Sequence, residues 1–287
     1  MPRGSAAHKS VGEAGHVFCS VFRPARLQSR LQPLTTDMKT TRTEAIILNT
    51  RDHGESDRLV GLYTRSGGRL QGIAKGARRS RKRFANTLEP CSLVELQFRE
   101  KGTLVWLESC KLLEPFLSLR TELIRWGIAA LISEIVIEMV PEGDPQPELF
   151  ELLKETLRQL CEDKDSLNVA LLFIFRFQDK MGYLPALENC GICGRSLRSA
   201  TKWCWQVDRG LLACPDHPVE RVRALELDLG TLLLIRQCRS LSLDRIWRLR
   251  FLHDTKVQLF YGLLDWVRGH IRKELKSLKL LQQAHST

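Results

Sequence analysis

The sequence lacks several features that define common protein classes. None of its 287 residues form an apolar run of about 20 residues, the length that a membrane-spanning helix requires. No Gly-Lys-Ser/Thr sequence follows its glycines at the spacing of a phosphate-binding loop, and no His-Glu-x-x-His signature of a catalytic zinc is present. The histidines His53, His253 and His270 are isolated, as ordinary surface or core histidines usually are. We therefore predict a soluble binding protein and not an enzyme.

Acidic residues are absent from one stretch of the chain. Between Arg69 and Arg83 the sequence carries seven basic side chains and no acidic one. A surface that serves only solubility mixes both signs, so a cluster of one sign favours contact with phosphates. Residues 38–115 also hold most of the positive excess, with fifteen basic and nine acidic residues. The candidate nucleic-acid contacts are Arg58, Arg69, Lys75, Arg78, Arg79, Arg81, Lys82 and Arg83.

The first 37 residues differ in composition from the rest and are rich in Gly, Ser, Pro and scattered Arg. Their apolar patch Val17–Phe22 is too short and too polar for a signal peptide. We interpret residues 1–37 as a disordered extension. A transit peptide and a start codon assigned too far upstream, with Met38 as the first residue, both remain compatible with this composition.

From Met38 onward the apolar residues alternate or occur in short runs, which predicts β-strands. Glycine-containing turns separate them at Ser66-Gly67-Gly68 and Glu100-Lys101-Gly102. The five predicted strands are Glu44–Asn49, Arg58–Thr64, Arg69–Lys75, Ser92–Arg99 and Thr103–Lys111. A five-stranded barrel of the OB type over residues 38–115 fits this count, and such barrels commonly bind single strands. Because the module has few aromatic residues, we expect it to follow the nucleic-acid backbone without reading sequence.

After Pro115 the apolar period becomes that of helices, which predicts a helical domain over residues 116–287. Pro147 at the first helical position and Ser166 as an N-cap mark two helix starts. The predicted helices are Thr121–Val140, Pro147–Glu162, Leu167–Met181, Leu225–Cys238 and Asp254–Leu281. Leu167–Met181 is apolar nearly all round and is expected at the buried centre of the domain.

A cysteine pair, Cys190 and Cys193, precedes a second pair of metal-ligand type, Cys214 and His217, by twenty residues. Two such pairs, each with a two-residue spacer, can supply four ligands to one structural Zn²⁺. Cys204 is an alternative to His217 as the fourth ligand. The zinc-binding insert is expected at about residues 188–219. Nine cysteines without an export signal indicate a reducing cytoplasm and not a disulfide framework.

Several of these segments together resemble the RecO family of bacterial recombination mediators. The resemblance covers the chain from Met38 to its end, and the last of the segments is followed by the cysteine pair. The matching segments are Glu44-Ala45-Ile46-Ile47-Leu48, Gly54-Glu55-Ser56-Asp57-Arg58, Tyr63-Thr64, Gly68-Arg69, Ala74-Lys75-Gly76-Ala77-Arg78-Arg79 and Met181-Gly182-Tyr183-Leu184-Pro185.

This resemblance implies an α+β multidomain protein with an N-terminal OB fold and a helical domain that carries a zinc-finger-like insert. It implies binding to single- and double-stranded DNA and annealing of complementary strands. It further implies contact with SSB and joint action with RecR, and in some bacteria RecF, to load RecA, in the cytoplasm at the nucleoid. The segment from Lys75 to Arg79 corresponds to the family's basic DNA-binding stretch.

Two other functions fit parts of the pattern. One is a metal-dependent nucleic-acid-processing enzyme, which would lose turnover with its metal. The other is a zinc-containing OB-fold protein that prefers RNA and does not anneal DNA in the presence of SSB.

Overall fold

The computed structural model describes residues 40–101, 104–163, 165–217, 224–271 and 273–285. The predicted extension 1–37 lies outside these ranges, as do Gly102 of the predicted turn, Thr103 of the fifth predicted strand and the last two residues of the predicted insert. Within these ranges, no helix combines the length and the apolar character needed to cross a membrane.

Five strands close into a barrel in the order β1-β2-β3-β5-β4. All five predicted strands are confirmed, with shifted ends. The strands are β1 (Thr40–His53), β2 (Asp57–Thr64), β3 (Gly68–Ala74), β4 (Leu93–Lys101) and β5 (Leu104–Glu114). β1 is longer than predicted because its first half pairs with β4 and its second half with β2. Only β3 and β5 run parallel to each other, and their pairing closes the barrel.

The barrel interior is filled by the side chains that point inward from each strand. Along β5, Val105 and Leu107 are buried, whereas Trp106 between them faces outward and is half-buried. The inward set includes Ala45, Ile47, Val60, Leu62, Ala74, Val94, Leu96, Phe98, Val105 and Leu107. This alternation buries one face of every strand, which fixes the register of the sheet.

The second half of the described chain is mainly helical. Its helices are α1 (Leu123–Met139), α2 (Pro147–Glu162), α3 (Ser166–Lys180), α4 (Leu229–Ser240), α5 (Leu243–Ile246), α6 (His253–His270) and α7 (Lys276–His285). Pro147 opens α2 as predicted. α3 is the buried centre of this half, since eleven of its fifteen residues are buried.

Three helix predictions need correction. Ser166 is not the N-cap of α3, because the Asp165 carboxylate accepts the backbone N–H of Asn168 at 3.1 Å. The predicted helix from Leu225 begins instead as a strand, β8 (Ala224–Asp228), and Asp228 then caps α4.

The third correction concerns the predicted long helix Asp254–Leu281, which divides into α6 and α7. The Glu134 carboxylate of α1 accepts the backbone N–H groups of Lys276 and Ser277 at 2.9 and 3.0 Å. A carboxylate on these N–H groups stabilises a new helix start, so α7 begins there.

A three-stranded sheet, absent from the sequence prediction, lies between α3 and α4 in the chain. Its order is β7-β6-β8, formed by β6 (Lys202–Gln206), β7 (Leu211–Ala213) and β8. The Trp205 ring of β6 stacks on Phe175 of α3 with the ring centroids 6.2 Å apart. This contact attaches the sheet to the buried centre of the helical half.

The turn between β2 and β3 packs against the segment that follows α1. Gly68 has φ +66°, and the backbone N–H of Gly143 donates to the carbonyl of Arg69 at 3.0 Å. A Cβ atom added at Gly68 would lie 2.1 Å from the carbonyl oxygen of Asp144. Gly143 also has positive φ, +73°, but a Cβ added there would meet nothing within 4 Å.

We therefore expect Gly68→Ala to lower the free energy of unfolding by about 3 kcal/mol, the sum of left-handed strain and forced overlap. Gly143→Ala, which introduces only the strain, should cost about 1 kcal/mol. Urea denaturation of both variants measures the difference. Equal losses would show that the approach of Asp144 to Gly68 does not contribute.

Candidate metal centre and nucleic-acid interface

Four side chains converge to a group that could hold a metal ion: Cys190, Cys193, Cys214 and His217. Their ligand atoms all lie within 4.8 Å of one another. The Sγ atoms of Cys193 and Cys214 are 3.8 Å apart, and Nδ1 of His217 is 3.2 Å from Cys214 Sγ and 3.8 Å from Cys190 Sγ. Tetrahedral ligands with Zn–S bonds of about 2.3 Å have sulfurs about 3.8 Å apart. The donor set and its spacing therefore fit Zn²⁺.

Backbone hydrogen bonds hold the two pairs in this arrangement. The N–H of Gly194 donates to the carbonyl of Cys190 at 2.9 Å, and Gly194 has φ +73°, which closes the first turn. In the second turn the N–H of His217 donates to the carbonyl of Cys214 at 3.0 Å. The two turns are joined because the N–H of Gly191 donates to Leu212 at 2.8 Å, so β7 fixes one pair beside the other.

The site is electrostatically prepared for a cation. Burial alone would raise the pKa of the Cys190 thiol, but the backbone N–H groups of Cys193, Cys214 and Ile192 lower this pKa to about 6. Burial and the neighbouring sulfurs raise the pKa of Cys214. The protein thus stabilises the thiolate of Cys190, and a divalent cation would stabilise that of Cys214.

The alternative ligand Cys204 is not part of this group. It lies on β6, where it pairs in register with Ala213 of β7. Its neighbours Trp203 and Trp205 are buried, at 2% and 0% exposure, so they do not present their rings to a nucleic-acid strand.

The basic cluster lies in the connection that leaves β3 and leads to β4. The Asp57 carboxylate fixes its start by accepting the backbone N–H of Gly76 at 2.8 Å, and this hydrogen bond, together with that from the Ser56 hydroxyl, lowers the pKa of Asp57. Gly76 has φ +66° and is followed by a single 3₁₀ turn over Ala77–Arg79. We call residues 75–83 the basic loop. Asp57 is not among the site residues predicted from the sequence, although it lies in one of the matching segments.

Three of the eight candidate contacts are exposed without a compensating charge. Arg79, Arg81 and Lys82 make no ion pair with any residue in the described ranges. Lys75 and Arg83 are exposed too, and Arg83 Nη2 donates to the carbonyl of Lys75 at 2.8 Å. These five residues keep their positive charge available to solvent on one short loop.

The other three candidates are engaged within the protein. Arg58 pairs with Asp52 at 3.3 Å, and Arg78 pairs with Asp52 at 3.4 Å while donating to the carbonyls of Gly54 and Glu55. Arg78 therefore holds the basic loop against the β1–β2 turn. With Arg81, these two residues also line a polar groove of about 430 Å³.

Arg69 lies apart from the basic loop. Its Nε atom donates to the carbonyl of Val140 at 2.6 Å, and its Nη1 atom pairs with Glu142 at 3.0 Å. The side chain connects the barrel to the segment after α1, which gives it a structural role in this fold.

Two models of known families match the chain. The model for the N-terminal part of recombination protein O matches residues 38–116, and the model for its C-terminal part matches residues 120–279. A relative from Syntrophus aciditrophicus, named DNA repair protein RecO, is 35% identical over 253 residues, which cover 85% of this chain and 96% of the relative.

Proteins of the same name occur among other similar sequences. The relative from Thermoanaerobacter is 32% identical over 247 residues, covering 84% of this chain and 96% of its own length. The relative from Pelotomaculum thermopropionicum is 29% identical over 246 residues, covering 86% and 95%. Because the matched regions span the barrel, the helices and the Cys/His group together, the chain belongs to the RecO family.

Proposed function

We propose that this protein is a DNA-repair mediator that binds single- and double-stranded DNA and anneals complementary strands. With RecR, and where present RecF, it would help to load RecA onto strands coated by SSB, in the cytoplasm at the nucleoid. The observation that carries the proposal is the basic loop, which combines exposed, uncompensated positive charge with membership of a family whose relatives are named DNA repair proteins.

The barrel supports this proposal through its topology. A closed five-stranded barrel with the order β1-β2-β3-β5-β4 and a parallel β3–β5 pair is the arrangement expected of an OB fold. We assign residues 38–115 to this DNA-binding domain and residues 116–287 to the helical domain with its insert. The two matched family regions, which end at 116 and begin at 120, support a boundary there.

We assign a structural role to the metal. Cys190, Cys193, Cys214 and His217 would occupy all four positions of a tetrahedral zinc, which leaves no position for a reacting water. The bound ion would join the two turns and stabilise the insert. This supports a mediator that is not an enzyme over the metal-dependent nuclease alternative.

Two basic residues of α3 that an acidic partner such as SSB could contact, Arg176 and Lys180, have partners inside the chain. Arg176 donates to the carbonyls of Cys238 and Arg239 at 3.2 and 2.6 Å, and Lys180 pairs with Glu148. Both side chains are therefore held by contacts within the helical domain.

The proposed function is tested by annealing of complementary DNA strands coated with SSB, without added nucleotide. The proposal predicts annealing by the purified protein at a rate well above that of the coated strands alone. An RNA-binding protein would bind RNA more tightly than DNA and leave the coated strands separate. A metal-dependent nuclease would shorten the strands, and this shortening would stop when a chelator removes the metal.

A further inference from the structure

Trp106 occupies an unusual position for the largest side chain of the barrel. It lies on β5 between the buried residues Val105 and Leu107 and therefore points outward. In the sheet it pairs in register with Ile73 of β3 on one side and Arg99 of β4 on the other. Trp106 as a whole residue is half-buried on the outer surface of the barrel.

The Trp106 ring is not part of the buried core of the barrel. The other aromatic residues of the barrel and its exit, Tyr63, Phe84, Phe98 and Phe116, have exposures of 0%, 4%, 2% and 4%. Of these five aromatic residues in the described part of residues 38–116, only Trp106 is partly exposed to solvent. An aromatic ring on the outside of a cationic barrel is the feature on which bases of a single strand stack.

The ring is continuous with the basic loop. The Lys75 ammonium lies over the Trp106 ring, 4.2 Å from its centroid, in the geometry of a cation–π contact. Lys75 is the first residue of the loop, and its carbonyl accepts Arg83. The nearby carboxylate of Glu108 is paired with Arg99 at 2.5 Å and also accepts the Thr40 hydroxyl, so the negative charge beside the platform is compensated.

We propose that Trp106 is a base-stacking platform that gives the protein a preference for single strands over duplex DNA. This inference rests on the DNA-binding function proposed above. An unpaired base lies on the indole ring, and the Lys75 ammonium moves from the ring to the adjacent phosphate. Bases inside a duplex are already stacked on their neighbours, so duplex DNA uses the phosphate contacts of the basic loop but not the ring.

The first test varies the ligand and leaves the protein intact. Two fluorescent oligomers of about twelve positions are compared, one of thymidine and one of abasic tetrahydrofuran sites with the same number of phosphates. The native protein should bind the thymidine oligomer about 10-fold more tightly, because base–aromatic stacking is lost with the abasic strand. Equal affinities would overturn the platform while leaving phosphate binding intact. Failure to bind either oligomer would contradict the proposed function itself and the platform with it.

The second test asks whether Trp106 is the residue responsible for the thymidine preference. Trp106→Leu keeps an apolar side chain against Ile73 and should remove the thymidine preference, with duplex affinity unchanged within about 2-fold. Trp106→Phe should restore part of the preference because it retains a ring. Tyr261→Ala, which removes an aromatic side chain that is 56% exposed on α6, is the matched control and should behave as the native protein.

Cross-linking gives a readout that does not depend on variants. A single 5-iodouracil in the thymidine oligomer should cross-link on irradiation to the tryptic peptide 102–111, which contains Trp106. Cross-links confined to other peptides would contradict the assignment.

Discussion

Replacing Arg79, Arg81 and Lys82 together by glutamine is expected to weaken the binding of single-stranded DNA about 100-fold at 0.1 M salt. Each phosphate contact contributes about 0.7 to the slope of log affinity against log salt for single strands, so three contacts contribute about 2. Between a 1 M reference and 0.1 M salt, this difference amounts to about two decades of affinity. Fluorescence anisotropy over a salt series measures both the affinity and the slope.

The choice of these three residues follows from the structure. Their side chains are exposed and form no ion pair with described residues, so glutamine at these positions removes charge without removing a contact of the fold. Arg78 is unsuitable because it holds the loop through Asp52, Gly54 and Glu55.

A control with the same change in net charge separates a local contact from a general electrostatic effect. Arg245, Arg248 and Lys279 are exposed on the helical half, and their joint replacement by glutamine should change the affinity less than about 3-fold. If the two triple variants lost affinity equally, or if the slope of the first stayed at the native value, the basic loop would not be the DNA contact.

The second large effect is expected at the metal centre. Cys190→Ser should reduce bound zinc from about one ion per chain to nearly none and lower the melting temperature by about 10 °C, because metal binding to such a site contributes directly to folding. Zinc content by atomic emission and thermal unfolding of the same preparation measure the two quantities. Native protein stripped by a chelator should melt close to the variant.

Cys204→Ser is the matched control for this prediction. Cys204 is a cysteine of the small sheet β7-β6-β8, but it lies outside the group of four candidate ligands. The variant should keep its zinc, whereas His217→Ala should lose it. Full zinc occupancy in Cys190→Ser, or loss of zinc in Cys204→Ser, would show that the ligand set is wrong.

The features that the sequence predicted well are those determined by neighbouring residues. The barrel strands follow from alternation of apolar side chains, and Gly68 marks its turn by a positive φ. The convergence of Cys190 and Cys193 follows from their two-residue spacer. The order of the strands, with β5 between β3 and β4, depends on pairing between distant segments and could only be proposed by analogy.

The features that the sequence missed depend on residues far away in the chain. The start of α7 is determined by Glu134 of α1, and the grouping of His217 instead of Cys204 with the other three cysteines depends on where β6 places Cys204. β6, β7 and β8 have five, three and five residues, too few for a clear periodic pattern.

The same reason applies to the eight candidate nucleic-acid contacts. The sequence shows where positive charge lies but not which charges remain available. Arg58 and Arg78 share Asp52, and Arg69 binds the carbonyl of Val140. These partners come from other segments of the chain. The structure is therefore needed to distinguish the basic residues that make contacts within the fold from those whose charge remains available.

The most direct test of the proposed mediator function is annealing of SSB-coated complementary DNA by the native protein and by the Arg79, Arg81 and Lys82 triple variant, in the absence of nucleotide. We predict that the native protein anneals the strands and that the triple variant, folded and with its zinc retained, does not. Tight DNA binding by the native protein without annealing would contradict the mediator function, and undiminished annealing by the triple variant would contradict the assignment of its DNA site.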